Sequence, residues 1–79
     1  MELTIVTAAS KQIIDVAWIE VNTPAGNFVI QTGHAPMIVT LVSQKEFIYQ
    51  PTVGKQESLI VGQALLNVNR DTALLVLQK

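Results

Sequence analysis

The sequence GHAPMIVTLV, residues 33–42, joins a short loop to a run that is nearly all apolar. In the loop we interpret Gly33 and Pro36 as structural residues, because glycine accepts a positive φ and proline fixes its φ. The run Met37–Val42 predicts a strand covered on both of its faces, since a strand with one solvated face alternates apolar and polar residues. This stretch therefore indicates a turn followed by a buried β-strand.

Upstream of this stretch, apolar and polar residues alternate with the two-residue period of half-buried strands. Residues 2–7 predict a first strand with Leu3 and Ile5 inward, and residues 12–15 and 17–23 predict two more. In the last of these the alternation assigns Ala17, Ile19 and Val21 to one face, and Val16, Trp18, Glu20 and Asn22 to the outer face. A turn at Pro24, Ala25 and Gly26 then leads into an extended run at residues 27–30.

Downstream, short segments continue between turn residues at the close spacing of a sandwich or small barrel. Val, Ile and Thr make up 25 of the 79 residues, and these residue types fit a pleated surface better than a helix. The remaining strands are predicted at residues 46–49, 56–61, 64–68 and 72–77. The sequence thus predicts one all-β domain over residues 1–79, a small antiparallel β-sandwich of about 8–10 strands with almost no helix.

Composition excludes several classes of function. A net charge of −1 provides no field to attract nucleic acid or an anionic membrane, and no apolar stretch is long enough to span a bilayer. With no Cys and one His, the chain lacks the ligands of a zinc site, and no Gly-rich phosphate-binding loop is present. Asp15 and Glu20 fall on opposite strand faces by parity, so they do not form a catalytic carboxylate pair. We expect no catalytic residue, no cofactor and no metal.

A shortage of charge on the surface points instead to protein partners. Only 14% of the residues are charged, whereas soluble domains average about 25%. The N-terminus, Met1–Thr7, has neither the basic region nor the long apolar segment of a signal peptide. We therefore expect a protein without a leader whose surface is partly covered by other chains.

The loop Gly33-His34-Ala35-Pro36 resembles the Gly-His-Ala-Pro loop in the N-terminal β-sandwich of the epsilon subunit of F-type ATP synthases. Strand order, spacing and length match that family along essentially the whole chain. The chain departs from it at Thr32, where the family usually has Pro, and at Gly26-Asn27-Phe28-Val29, where the family has Gly-Glu-Leu-Gly. A family Gly-Gly pair appears here as Gln63 and Ala64, although Gly62 is placed to serve the same bend. The chain ends where the family's sandwich ends, so the two C-terminal helices of many members are not expected.

The resemblance implies a non-catalytic rotor subunit, present once per complex, that links the gamma subunit to the c ring and couples rotation to ATP synthesis. It implies a peripheral position on the cytoplasmic face of the bacterial inner membrane. By resemblance, Gly26, Asn27 and Phe28 contact the c ring, and Thr7 and His34 contact gamma. His34 is alternatively a loop side chain hydrogen-bonded within its own turn, and the outward Trp18 either anchors the gamma interface or shields a sheet edge.

A second hypothesis explains the apolar surface without any rotary machine. In this interpretation the chain is a β-sandwich adaptor that associates with itself through its uncharged surface. A third class, a small enzyme, lacks a pairing of nucleophile and base. A partner test on the isolated chain distinguishes the first two hypotheses.

Overall fold

The many β-branched residues form strands throughout the computed structural model, which describes residues 1–78. No helix occurs within these residues, so the prediction of an all-β chain with about eight to ten strands is confirmed. The eight strands are β1 (Glu2–Val6), β2 (Lys11–Thr23), β3 (Gly26–Gln31), β4 (Met37–Thr40), β5 (Lys45–Pro51), β6 (Glu57–Val61), β7 (Gln63–Val68) and β8 (Thr72–Gln78).

The strands form two layers that share the long strand β2. One layer is a five-stranded sheet in the order β4-β7-β8-β1-β2, which uses the N-terminal part of β2. The other is a four-stranded sheet in the order β3-β2-β5-β6, which uses the C-terminal part of β2. The chain also changes layer before and after β4, and again at Gly62, the single residue between β6 and β7. This position agrees with the expectation that Gly62 serves the bend ahead of Gln63 and Ala64.

One strand pair in the described chain is parallel, and it joins the two ends of the sequence. β1 pairs with β8 in parallel, from Glu2 opposite Thr72 to Val6 opposite Val76, whereas the other pairs are antiparallel. The N-terminal strand therefore lies inside the five-stranded sheet, between the C-terminal strand and β2.

The core lies between the inner faces of the two sheets. Residues that are paired across strands share a face, so Leu3, Ala73 and Val68 form one buried row across β1, β8 and β7. The four-stranded sheet contributes Ile19, Val21, Ile30, Phe47 and Tyr49 from the opposite side. The accessible surface is 4740 Å², close to the roughly 4,700 Å² that size scaling predicts.

The middle of β2 differs from the sequence-based prediction. The pairing of β2 with β5 shifts register between Val16 and Trp18, which indicates a β-bulge, and residues 11–23 form one strand rather than two. Because a bulge adds one residue to a strand, it reverses the alternation at this point. Val16 is consequently buried and Ala17 exposed, so the faces predicted for these two residues are wrong, while Ile19 and Val21 are inward as predicted.

The apolar run after the loop also differs from its prediction. β4 pairs only with β7 and is the edge of the five-stranded sheet. Met37 and Val39 pack against the core, while Ile38 is 69% exposed. The prediction that this strand is covered on both faces is therefore wrong, because the outer face of the sheet, which Ile38 occupies, has no further layer of the described chain packed on it.

Candidate interaction surface

The outer face of the five-stranded sheet is almost free of charge. Strand register places two rows of five residues across it. The first row is Ile38, Asn67, Leu74, Thr4 and Ile13, and the second is Thr40, Leu65, Val76, Val6 and Lys11. Six of these ten side chains are aliphatic and Lys11 alone is charged. We call these ten residues the aliphatic face.

The aliphatic face is open to solvent in the isolated chain. Exposed fractions are 69% for Ile38, 58% for Ile13, 38% for Leu65 and 36% for Leu74. A shallow groove of about 450 Å³ runs over β8, β1 and β2, and Thr4, Val6, Ile13 and Leu74 are among its lining residues. Contiguous apolar patches of this kind mark interaction sites on soluble proteins.

Charged residues border the aliphatic face at both ends of its strands. Lys11 lies at one end, where β2 begins. Glu2 and Asp15 are paired at the other end, in the row that also contains Thr72. The Asp15 carboxylate lies 3.4 Å from the N-terminal amino group of Met1 and remains 68% exposed. The face is thus an apolar strip with a basic end and an acidic end.

The outer face of the four-stranded sheet has a different character. Its rows mix residue types: Gln31, Trp18 and Gln50 in one, and Val29, Glu20, Ile48 and Ser58 in the next. Glu46 lies opposite Ile60 in a third. Apolar residues on this face alternate with amides and carboxylates, so only the five-stranded sheet presents a continuous aliphatic surface.

Thr7, one of the residues predicted to contact gamma, lies in the turn between β1 and β2, next to the basic end of the aliphatic face. Its hydroxyl oxygen accepts hydrogen bonds from the backbone amides of Ala9 and Ser10, at 3.2 and 3.0 Å. Its own amide donates to the Ser10 carbonyl at 2.9 Å. Thr7 therefore closes this turn, and its half-buried side chain lies at the rim of the face.

His34 lies at the opposite end of the sheet, in the loop before β4. The loop is attached to the β7–β8 turn, because the amide of Gly33, at φ 91°, donates to the Arg70 carbonyl at 2.7 Å. The His34 amide donates to the Gln31 carbonyl at 3.1 Å, and its ring Nδ1 lies 2.7 Å from the Ala35 carbonyl. Because a carbonyl can only accept, Nδ1 donates there and Nε2 is left for another group. Pro36 follows in the same loop and is exposed.

Trp18 lies on the other layer but close to the anchor of the His34 loop. It is paired with Gln31, whose carbonyl accepts the hydrogen bond from His34, and it is half-buried on the outer face of the four-stranded sheet. The structure therefore brings Trp18 and His34 together through Gln31. Thr7 is separate from them, because the turn that holds it is at the other end of β1.

The residues predicted to contact the c ring begin β3, directly after the turn Pro24-Ala25, and we call Gly26, Asn27 and Phe28 the hairpin tip. Gly26 has a φ of 128°, which an L-amino acid rarely adopts, and its carbonyl accepts a 2.9 Å hydrogen bond from the buried Thr23 hydroxyl. The Asn27 side-chain amide donates to a Glu20 carboxylate oxygen and to the Asn22 side-chain oxygen, both at 3.2 Å. Phe28 is partly exposed beside them. A carboxylate thus lies next to the tip even though position 27 is an amide.

Sequence reasoning missed the aliphatic face. The signal was present, because the runs Ala64–Leu66 and Ala73–Leu77 lack the polar residues that a solvated outer face normally has. Both runs were predicted as strands, at residues 64–68 and 72–77, and their apolar outer sides were given no role. The strand register completes the aliphatic face, because it aligns these runs with Ile38 and Ile13 from distant parts of the sequence.

Residues 1–78 contain neither a metal-binding cluster nor a membrane-spanning helix. No three His, Cys, Asp or Glu side chains lie together as a metal site would require. The part of the chain that the structure describes also has no helix with the length and apolar character needed to cross a membrane.

Comparison with known proteins relates the chain to one family. A family model described as the beta-sandwich domain of the ATP synthase Delta/Epsilon chain matches residues 1–78. None of the curated proteins matches the chain. Solved structures do: the central stalk/c-ring structure of the Tetrahymena thermophila mitochondrial ATP synthase contains a chain with a TM-score of 0.84 at 15% identity, over 100% of this chain and 63% of that chain.

A second solved structure gives the same result. A chain in the OSCP/F1/c-ring structure of the Euglena gracilis mitochondrial ATP synthase, in rotational state 1, has a TM-score of 0.83 at 17% identity. The alignment covers 98% of this chain and 49% of that chain. The chain thus spans about half to two thirds of the length of these relatives, and at these identities the likeness shows a common fold.

Proposed function

The chain belongs to the family of β-sandwich domains of ATP synthase delta/epsilon chains, and we propose that it is a non-catalytic rotor subunit that links gamma to the c ring. In this role it couples rotation to ATP synthesis and performs no chemistry of its own. One copy is present per complex, bound peripherally on the cytoplasmic face of the bacterial inner membrane.

The aliphatic face is the observation that carries this proposal. Six aliphatic side chains lie side by side across five strands, with Lys11 as the single charge among ten positions. Burying apolar surface stabilises a complex by about 25 cal/mol per Å² before the costs of association. A larger protein that covers this face gains that energy without removing water from a charged side chain at the centre of the contact. We therefore assign the face to gamma.

The residues predicted to contact gamma agree with this assignment. Thr7 lies beyond one end of the sheet and His34 beyond the other, so a partner that covers the aliphatic face reaches both. Trp18 lies on the second layer, next to the anchor of the His34 loop. In this arrangement Trp18 contacts gamma only if gamma extends around the edge of the sandwich at that end.

We assign the ring contact to the β2–β3 hairpin tip, Gly26, Asn27 and Phe28. The tip is stiffened by the two hydrogen bonds of the Thr23 hydroxyl and by those of the Asn27 amide. Glu20 accepts one of the Asn27 bonds, so its carboxylate is available to a basic or amide group of a ring loop. A close-packed sandwich between tip and aliphatic face deforms little, and torque that enters at the tip therefore reaches gamma.

Binding to purified gamma tests the proposal. We expect a stable complex with the wild-type chain at physiological salt, and Leu74→Lys should weaken its affinity by about tenfold or more, because a lysine then lies under the interface. The matched control is Ile60→Lys, since Ile60 is 61% exposed on the outer face of the other sheet. It should bind like the wild type. Absence of binding by the wild-type chain, or equal loss with both variants, would contradict the proposal.

A further inference from the structure

The first row of the aliphatic face is chemically suited to a second copy of itself. A two-fold axis along the row Ile38, Asn67, Leu74, Thr4 and Ile13 stacks each member of that row on its own counterpart. Such an isologous contact is the commonest arrangement of soluble dimers. Along most of this row the contact is apolar or between small polar groups, so no charge is desolvated at its centre.

Charges at the ends of the face complement each other under the same axis. The axis reverses the strand direction, so the acidic end of one copy meets the basic end of the other. Lys11 and Asp15 point outward from the same strand, on either side of Ile13, and each faces the opposite charge across the axis. Glu2, next to Asp15, adds to the acidic side. An axis along β2 itself would oppose Lys11 to Lys11 and Asp15 to Asp15, and an axis along the central strand β8 would leave Lys11 opposite Thr40 without a charge partner.

The size of the face sets the strength of this contact. Five strands about 4.8 Å apart and five residues at about 3.3 Å each give a patch of roughly 24 by 17 Å. A standard interface buries about 800 Å² of accessible surface per partner, and the patch, at roughly 400 Å², is about half of that size. The contact is therefore a reversible one.

We propose that the chain free of gamma forms a reversible two-fold dimer through the aliphatic face, with Lys11 of each copy opposite Asp15 of the other. The dimer protects the apolar surface before the rotor is assembled. Gamma and the second copy then exclude each other, because both cover the same residues. Dimer formation is measured on the isolated chain, without gamma. The dimer proposal can therefore fail while gamma binding is observed, and gamma binding can fail while the dimer is observed.

Sedimentation equilibrium of the 79-residue chain alone tests the dimer. Over about 1 to about 500 µM, the weight-average mass should rise from the 8.6 kDa of one chain toward twice that value. Leu74→Lys and Ile38→Lys should each weaken association about tenfold or more, whereas Ile60→Lys should leave it unchanged. A chain that stays monomeric throughout, or whose association responds only to Ile60→Lys, overturns the proposal.

A charge exchange tests the two-fold geometry. Lys11→Glu alone and Asp15→Lys alone should each oppose like charges and associate more weakly than the wild type. An equimolar mixture of the two variants should associate more strongly than either, because both cross-axis pairs then unite opposite charges. Circular dichroism checks that both variants fold, and the Leu74→Lys and Ile38→Lys measurements test the contact if Asp15→Lys does not. If the mixture associates no better than the separate variants, the proposed geometry is wrong.

Discussion

The fold changes the ionisation of the Tyr49 side chain. Its side chain is buried on the inner face of β5, and across the strands it is paired with Glu57. Burial raises the pKa of the Tyr49 phenol above 10.0, and the negative charge of Glu57 adds to the increase, because both disfavour the phenolate. The folded state therefore favours the neutral form of the Tyr49 side chain.

Linkage predicts a loss of stability at alkaline pH. Above pH 10 the unfolded chain releases the tyrosine proton while the folded chain retains it, so the free energy of unfolding falls as pH rises from 10 through the native pKa. Below pH 10 the Tyr49 side chain is protonated in both states, so it does not make the free energy of unfolding depend on pH. Urea unfolding at several alkaline pH values measures this, and Tyr49→Phe should remove the tyrosine part of the decrease. Tyr49 is the only tyrosine, so its absorbance titration is direct. A midpoint at or below 10 would refute the prediction.

The alternation of apolar and polar residues along the sequence predicted some buried residues correctly and others wrongly. Leu3 and Ile5 are buried as the alternation predicted, because β1 runs between two neighbouring strands without interruption. Ile38 has a similarly apolar neighbourhood in sequence, yet it is exposed because it lies on the outer face of an edge strand. Edge position depends on which strands pair, and pairing is decided by residues far away in the chain. For the same reason the apolar runs of β7 and β8 were visible in the sequence, but their alignment with Ile38 and Ile13 was not.

Element boundaries were predicted well where a turn residue stands at the boundary. The strand predicted at residues 27–30 begins one residue earlier, at Gly26, and residues 69–71 separate β7 from β8 between the strands predicted at 64–68 and 72–77. The bulge in β2 has no such marker, because Val16, Ala17 and Trp18 are all compatible with regular strand. It arises from the transfer of β2 between the two layers, which is a tertiary requirement.

Matched substitutions at the bulge test its register. Val16→Thr keeps the shape of the side chain but buries a hydroxyl, and it should lower the free energy of unfolding by about 1–3 kcal/mol. Ala17→Thr adds a β-branched side chain at an exposed position and should change it by no more than about 0.5 kcal/mol. Urea unfolding followed by the fluorescence of Trp18, the only tryptophan, measures both. Uninterrupted alternation predicts the reverse order, which would contradict the observed register.

At the scale of the whole molecule, the parallel β1–β8 pair closes the five-stranded sheet. β8 is the only element that connects β7 and β4 to β1, so each inner row of that sheet passes through it. Leu75 and Ala73 are fully buried in those rows. The aliphatic face likewise depends on β8 for Leu74 and Val76, and the interaction surface and the core are therefore completed by the same strand.

A chain that ends at Asp71 should therefore lose cooperative folding altogether. Without β8 the five-stranded sheet separates into β4–β7 and β1–β2, and the inner face of each piece is exposed. The free energy of unfolding of a domain is only about 5–15 kcal/mol, and each large buried side chain contributes about 1.5–3 kcal/mol. The loss of a central strand with its buried side chains therefore leaves too little stability for folding. We expect no sigmoidal urea transition in Trp18 fluorescence for this fragment. A synthetic peptide of residues 72–78 should restore the transition, whereas the same peptide with Leu75→Ser should not, because Leu75 is the most central buried side chain of β8. A cooperative transition in the fragment without peptide would show that the four-stranded layer is stable by itself and that β8 is not what unites the fold.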